Sequence, residues 1–332
     1  MAVALSDGAR CVGVAGKGVV EVLNSSGAPM WSWNYGAINR FITPGALAIS
    51  PGCDKIALAG DSGYKYVWFA DRKSHARGVP VVGTPLSLAF DRSGQLVAVG
   101  TGASTMFLFT SAGSLKWKVP LQKTGYCLVT GMSFSKDNRF ILIRNGCAGV
   151  VSLDGAVIWT RWDDGMNAAE DLQTFVAWWE PNHGPGIPIL SVLDASGKEL
   201  WSRYLGVLGG VISPSGDKIS ARLNVNQNPT ERDYYADSAS GQEAHLQVLS
   251  RDGTLLKNLP EEGTPIAFLP RGGRLVLRIQ SAIEGVDLSG RFLFRIPVSV
   301  NVCSQILIAE DAGVIVVFRT ITEPELRWYQ TR

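Results

Sequence analysis

Long apolar runs are missing from this chain: none approaches the ~18 residues needed to cross a bilayer as a helix. Charge is scarce too, at 18% against a usual ~25%, and the formal net charge is only +2 with no extended basic run. That balance excludes binding to nucleic acid through a dominant electrostatic footprint. Disorder is also excluded, because it needs low hydrophobicity and high net charge, and 46% of these residues are apolar. The three histidines, His75, His183 and His245, stand far apart. No HExxH zinc pattern, GxSxG elbow or evident Ser/His/Asp order is present. Five cysteines (Cys11, Cys53, Cys127, Cys147, Cys303) form no CxxC pair and show no metal spacing. Cys11 and Cys53 occupy neighbouring slots in successive repeats, near an inter-strand turn where a small buried hydrophobe is usual, so buried structural thiols are expected over disulfides. The sequence therefore predicts no catalytic residue, no metal site and no cofactor.

What is abundant is repetition. An apolar strand, a tight turn and a second apolar strand recur as ALAISPGCDKIALAG (46–60), SLAFDRSGQLVAVG (87–100), GMSFSKDNRFILIRNG (131–146), GGVISPSGDKISARL (209–223) and PIAFLPRGGRLVLRI (265–279). A second phrase follows, in which a short Gly turn leads into a Trp: LNSSGAPMWSW (23–33), FTSAGSLKWKV (109–119), SLDGAVIWTRW (152–162) and LDASGKELWSRY (193–204). Trp117, Trp159 and Trp201 fall at intervals of 42 residues. A period near 40 with four short strands per unit predicts an all-β protein, a β-propeller of four-stranded antiparallel blades over 1–332 as a single domain. The units read 1–36, 45–83, 86–120, 128–163, 166–205, 208–259, 264–297 and 300–331, hence eight blades, or seven if the terminal units share strands. Each repeated Trp is expected to wedge between adjacent blades. The opening MAVALSDGAR lacks the basic and apolar regions of a signal peptide. Instead VALSDGARCVGVAG (3–16) aligns with LAISPGCDKIALAG (47–60) inside a repeat, which leaves the compartment open.

Meander geometry sorts the connections into two sets. Those joining strands one to two and three to four are short throughout, whereas the long segments WNYGAINRFITPG (33–45), RWDDGMNAAEDL (161–172), WEPNHGPGIP (179–188) and a polar insertion at about 224–243 in the sixth repeat belong to the other set. Loops on one face of a rigid scaffold are where function is expected. Tyr35, Arg40, Asp163, Asp164, His183, Arg232, Tyr234 and Tyr235 on these segments are the candidate partner-binding residues, Arg and Tyr being frequent at interaction hot spots. Asp163, Asp164, Asn167, Glu170 and Asp171 could offer oxygen ligands to calcium, but they miss the EF-hand pattern and read as a solvated loop. DRKSHAR (71–77) reads as solvated surface. GVAGKGVV (13–20) lacks the phosphate-loop spacing and reads as a Lys-Gly hairpin turn.

The repeat resembles two related propeller groups over essentially the whole chain. Its SPxG-then-strand half looks like WD40-type repeats without their GH and WD dipeptides. Its D-x-x-G-x-x-x-W half, as in LDASGKELW (193–201), is similar to the PQQ-type repeat of quinoprotein dehydrogenases and of non-catalytic relatives such as the outer-membrane assembly lipoprotein BamB. The enzymes of that group use an adjacent cysteine pair, which this chain lacks, so the resemblance implies the scaffold rather than the redox chemistry. Three functions are consistent with these features. The first is a non-enzymatic binding module or subunit of a larger assembly. The second is a channel-site enzyme or small-ligand binder of the quinoprotein, hydrolase or lyase kind, with Asp163, Asp164, His183 and Arg232 at the mouth. The third is a glycan binder stacking sugars on Trp178, Trp179 and Tyr234.

Overall fold

The computed structural model describes the chain outside residues 37–42, 62–64, 122–126, 180–187, 225–243, 261–262, 270–272, 280–281, 299–303, 310–313, 320–324 and 331–332. The chain forms two compact units, one of residues 1–160 with 302–330, the other of residues 161–301.

In the first unit the strands fall into consecutive antiparallel meanders. These are β1 (Ala2–Leu5), β2 (Cys11–Gly16), β3 (Val19–Asn24) and β4 (Pro29–Asn34); then β5 (Thr43–Ile49), β6 (Lys55–Asp61), β7 (Lys65–Asp71) and β8 (Ala76–Pro80). Next come β9 (Pro85–Phe90), β10 (Leu96–Thr101), β11 (Thr105–Thr110) and β12 (Leu115–Pro120), followed by β13 (Gly131–Phe134), β14 (Phe140–Asn145), β15 (Ala148–Ser152) and β16 (Val157–Arg161). The second unit continues with β17 (Gly165–Ala168), β18 (Thr174–Trp179), β19 (Ile189–Asp194) and β20 (Glu199–Ile212), a 14-residue strand that ends one meander and begins the next with β21 (Lys218–Asn224), β22 (Ala244–Ser250) and β23 (Leu255–Leu259). A further sheet holds β24 (Thr264–Phe268), β25 (Arg274–Ile279), β26 (Ala282–Asp287) and β27 (Phe292–Pro297). The first unit then closes with β28 (Ser304–Ala309), β29 (Val314–Arg319) and β30 (Glu325–Gln330), β28 lying beside β1.

Burial follows position in each meander. The middle strands β10 and β11 are buried on both faces, whereas the outermost, β12 and β23, are largely exposed. That explains the near-continuous apolar runs at LVAV and FILI: a sheet covered on both sides has no face for polar residues. The cores are therefore seams between neighbouring sheets. One joins Val20, Val22 and Trp33 to Leu47, Ile56 and Leu58, and the next joins Val67 and Phe69 to Val97, Val99 and Phe109. Each such side chain contributes roughly 1.5–3 kcal/mol by leaving water.

The turns carry their own chemistry. Lys17 and Gly18, both at positive φ, form the two-residue hairpin expected for GVAGKGVV. At the third turn of several sheets a side-chain oxygen accepts the amides two and four residues on: Asn24 those of Ser26 and Ala28, Asp194 those of Ser196 and Lys198, Asp287 those of Ser289 and Arg291. Such Asx turns close the hairpin locally, independent of tertiary contact.

Four of the cysteines are not free thiols. Cys11 is bonded to Cys53 and Cys127 to Cys147, correcting the expectation of structural thiols. Neighbouring slots in successive repeats meet across a seam, and the Cys11 and Cys53 Cα atoms stand 6.1 Å apart, within bridging range. Cys303 lies outside the described residues.

Candidate functional site

The first strands of the first unit, β1, β5, β9 and β13, stand side by side. Their C-terminal halves, with the turns that follow, enclose a cavity of about 450 Å³. Leu47, Leu88, Phe90, Met132 and Phe134 supply an apolar lining. Exposed Asp7 and Arg92 stand on the turns after β1 and β9, with the Arg92 Nε 3.4 Å from the Asp7 carboxylate. Ser133 and Arg144 line the cavity as well. Ser133 pairs with Leu142 across the β13–β14 ladder, and Arg144, two residues beyond Leu142, projects from the same side of the blade. The Ser133 hydroxyl is buried without a hydrogen-bond partner, and the Arg144 Nε is buried with it. Leaving a hydroxyl unsatisfied costs about 1–3 kcal/mol, so the cavity holds a polar group at a cost to stability.

In the second unit, Arg161, Asp163, Glu199 and Ser191 form a charged cluster. The Arg161 Nε lies 3.2 Å from Asp163 Oδ2, while its Nη2 lies 3.7 Å from Glu199 Oε2. Ser191 donates its hydroxyl to the same Glu199 oxygen at 2.7 Å. The Asp163 carboxylate is almost wholly buried, and neither oxygen receives a well-directed hydrogen bond. Burial pushes its pKa up to about 6; Arg161 pulls down against this, while Asp164 and Glu199 add to the rise. One guanidinium thus serves two carboxylates in a poorly hydrated place. Among the described residues no group of three or more His, Cys, Asp or Glu is arranged to hold a metal ion.

Neither the protein-family models nor the curated proteins contain a match to this chain. Solved structures do resemble it. The Dos1 propeller matches with a TM-score of 0.66 at 14% identity, covering 99% of this chain and 91% of that one. BamB from Moraxella catarrhalis matches at 0.62 and 15% identity, over 93% and 91%. The dihydro-heme d1 dehydrogenase NirN in complex with DHE matches at 0.65 and 13%, over 98% and 72%. The fold is a β-propeller. Each four-stranded meander is accordingly a blade, and β1, β5, β9 and β13 are the innermost strands of theirs.

Blade positions sort the residues singled out from sequence. Tyr35 is 1% exposed, and its phenol oxygen accepts the Gly18 amide, with burial raising its pKa; it is a core residue and is not presented to a partner. Asp163 and Asp164 adjoin in sequence on the β16–β17 connection, with Asp163 buried and Asp164 half-buried. Arg40, His183, Arg232, Tyr234 and Tyr235 lie outside the described residues. In the would-be calcium loop, Asn167 instead donates to the Gly210 carbonyl at 2.8 Å, and Asp171 accepts the Gln173 amide.

The repeated tryptophans pack between blades. Trp117 donates its Nε1–H to the Leu153 carbonyl of the next blade at 2.9 Å, Trp201 does so to Arg251 at 2.8 Å, and Trp31 reaches Cys53 at 2.6 Å. Trp178 lies across the strand pair over Gly165, where an added Cβ would fall inside its ring, so it packs the blade and is not a free stacking platform. Sequence reasoning missed Ser133, Arg144, Arg161, Ser191 and Glu199. Arg144 alone left a trace, as a cation ending the apolar run FILIRN.

Proposed function

We propose that the chain is a non-enzymatic β-propeller module, one domain of eight blades over 1–332, which engages a protein partner or a multisubunit assembly through the long connections at one end of its blades. The observation that carries this reading is the sorting of those connections. Residues 35–42 join one blade to the next, and 180–188 and 225–243 join second strands to third, β18 to β19 and β21 to β22; the segment 161–172 is not one long connection, because β17 (Gly165–Ala168) lies within it and leaves only 162–164 between blades. First-to-second and third-to-fourth connections are tight turns, as at Asp91–Gly94 and Asp194–Gly197. In an antiparallel meander the two sets emerge at opposite ends of the blade. Evolved length at one end, with Arg40, His183, Arg232, Tyr234 and Tyr235 on it, is the pattern of a binding surface carried on a rigid body.

The two disulfides support work in an oxidising compartment, where such bonds persist. Among the described residues no helix is long and apolar enough to cross a membrane. The test is affinity capture from the native cells with the intact protein and with a variant lacking 225–242, both checked for folding by circular dichroism. The expected result is a stoichiometric partner that the deletion releases. The reading fails if the intact protein captures none, or if the deletion leaves capture unchanged.

A further inference from the structure

We infer that the outer edge of β30, with the third turn of the first blade around Gly27, is a docking site for an extended segment of a partner protein, which adds as the fourth strand of the last blade. The other meanders each have four strands, whereas β28, β29 and β30 form a sheet of three. Among the described residues β29 is the only strand paired with β30. This rim is distinct from the partner surface proposed above, which lies on the long connections, and neither depends on the other.

The first blade shows the same seam from its other side. Where a fourth strand carries the repeated Trp, that ring covers the third-turn glycine of the next blade. An added Cβ at Gly155 would come 3.1 Å from the Trp117 ring, and one at Gly253 would come 3.2 Å from Trp201. At Gly27, in the matching turn of the first blade, no described atom lies within 4 Å, and residues 25–29 are exposed. The sheet whose first strand stands beside β1 on that side is β28–β30, the one of three strands. Trp117 and Trp201 also donate to the carbonyl two residues before the glycine, that of Leu153 and of Arg251. Ser25 holds that place before Gly27.

The fourth strands that are present define the chemistry of the occupant. Trp31-Ser32-Trp33, Trp117-Lys118-Val119 and Phe294-Arg295-Ile296 each run aromatic, polar, apolar. The aromatic residue would wedge into the seam over Gly27, and main-chain hydrogen bonds to β30 would add affinity that any sequence can supply. A second copy of the chain does not offer such a strand: β30 itself reads Trp328-Tyr329-Gln330, and each fourth strand is already bonded to its own third.

A fluorescein-labelled peptide copying residues 113–120, GSLKWKVP, tests this on the full chain by anisotropy, with amide hydrogen exchange to map the contact. The peptide should bind with a dissociation constant below about 100 µM and slow the exchange of amides in 325–330. Trp117→Ala in the peptide should weaken binding at least about tenfold. Proline at both of its lysines, which removes two main-chain donors, should abolish binding. Because these changes are made in the peptide, the protein's own folding is not at risk. No binding below about 1 mM, equal binding of the alanine or double-proline peptide, or protection gained at β11 in place of β30 overturns the inference. So does slow exchange at every amide of 325–330 before peptide is added: a dimer in sedimentation would then assign the edge to a second copy, and a monomer would assign it to other residues of the same chain.

Discussion

Replacing Cys11 and Cys53 together by alanine removes a covalent tie between the first two blades with little change in volume. Both residues are buried, Cys11 at 0% and Cys53 at 4% exposure, and the bond closes a loop across 42 positions of sequence. Loop-closure entropy for that length is worth about 4 kcal/mol at 25 °C. A chain of 332 residues has an unfolding entropy of about 0.7 kcal/mol/K near 60 °C, so the double variant should melt about 6 °C below the parent. The Cys127–Cys147 bond spans 20 positions, and its removal should cost about 3 kcal/mol, or about 5 °C. Scanning calorimetry reads both shifts. Thiol titration in denaturant provides the direct count: five cysteines with four paired leave one reactive thiol before reduction and five after. Because the Cys11–Cys53 sulfurs are buried, the native protein should also resist reductant that acts quickly on the denatured chain. Five thiols titrating without reductant would refute the pairing. A melting temperature unmoved in C11A/C53A, with the bond demonstrated in the parent, would refute the energetic argument.

Asp163 supplies a pH test. Its folded pKa of about 6 lies above the ordinary carboxylate value of about 3.9, so the native state binds this proton more tightly than the unfolded chain. The contribution to stability is full below pH ~4 and is lost as pH rises through 6, by up to about 3 kcal/mol. Asp163→Asn cannot titrate, so relative to the parent it should gain stability between pH 4 and 7.5 in urea unfolding; an equal difference at both pH values refutes the assignment. Asp137 and Asp287, held down to about 2 chiefly by the hydroxyls of Ser135 and Ser289, titrate below that window in both proteins. At the blade seam, Gly155 has φ +94° and an added Cβ would come 3.1 Å from the Trp117 ring. Gly155→Ala should cost about 1–3 kcal/mol in denaturant unfolding, and a neutral outcome would show that the seam yields. Trp117→Phe loses the bond to the Leu153 carbonyl and part of the ring, for about 1–2 kcal/mol by the same assay; an unchanged midpoint would show that the bond contributes nothing.

Much of this architecture could be read from sequence because it is local. Strand runs such as LVAV, the positive-φ pair Lys17-Gly18, and the Asp or Asn that caps several third turns act within a few residues. Repetition multiplied those weak signals, so strand order and the Trp wedge followed from the period alone. Burial was harder to foresee at loop ends: Tyr35 and Asp163 sit in connecting segments whose residue types suggest exposure, yet both are buried by neighbouring strands.

Alone, the sequence determined the repeat, the four-stranded meanders and the side from which long connections leave, since apolar strand runs and turn chemistry need no distant partner. Tertiary structure alone decided that Cys11 meets Cys53, that Arg161 stands between Asp163 and Glu199, and that Ser133 and Arg144 share a cavity with Asp7 and Arg92. Residues that meet this way stand far apart in the chain, and stacking one blade on the next is what closes the distance.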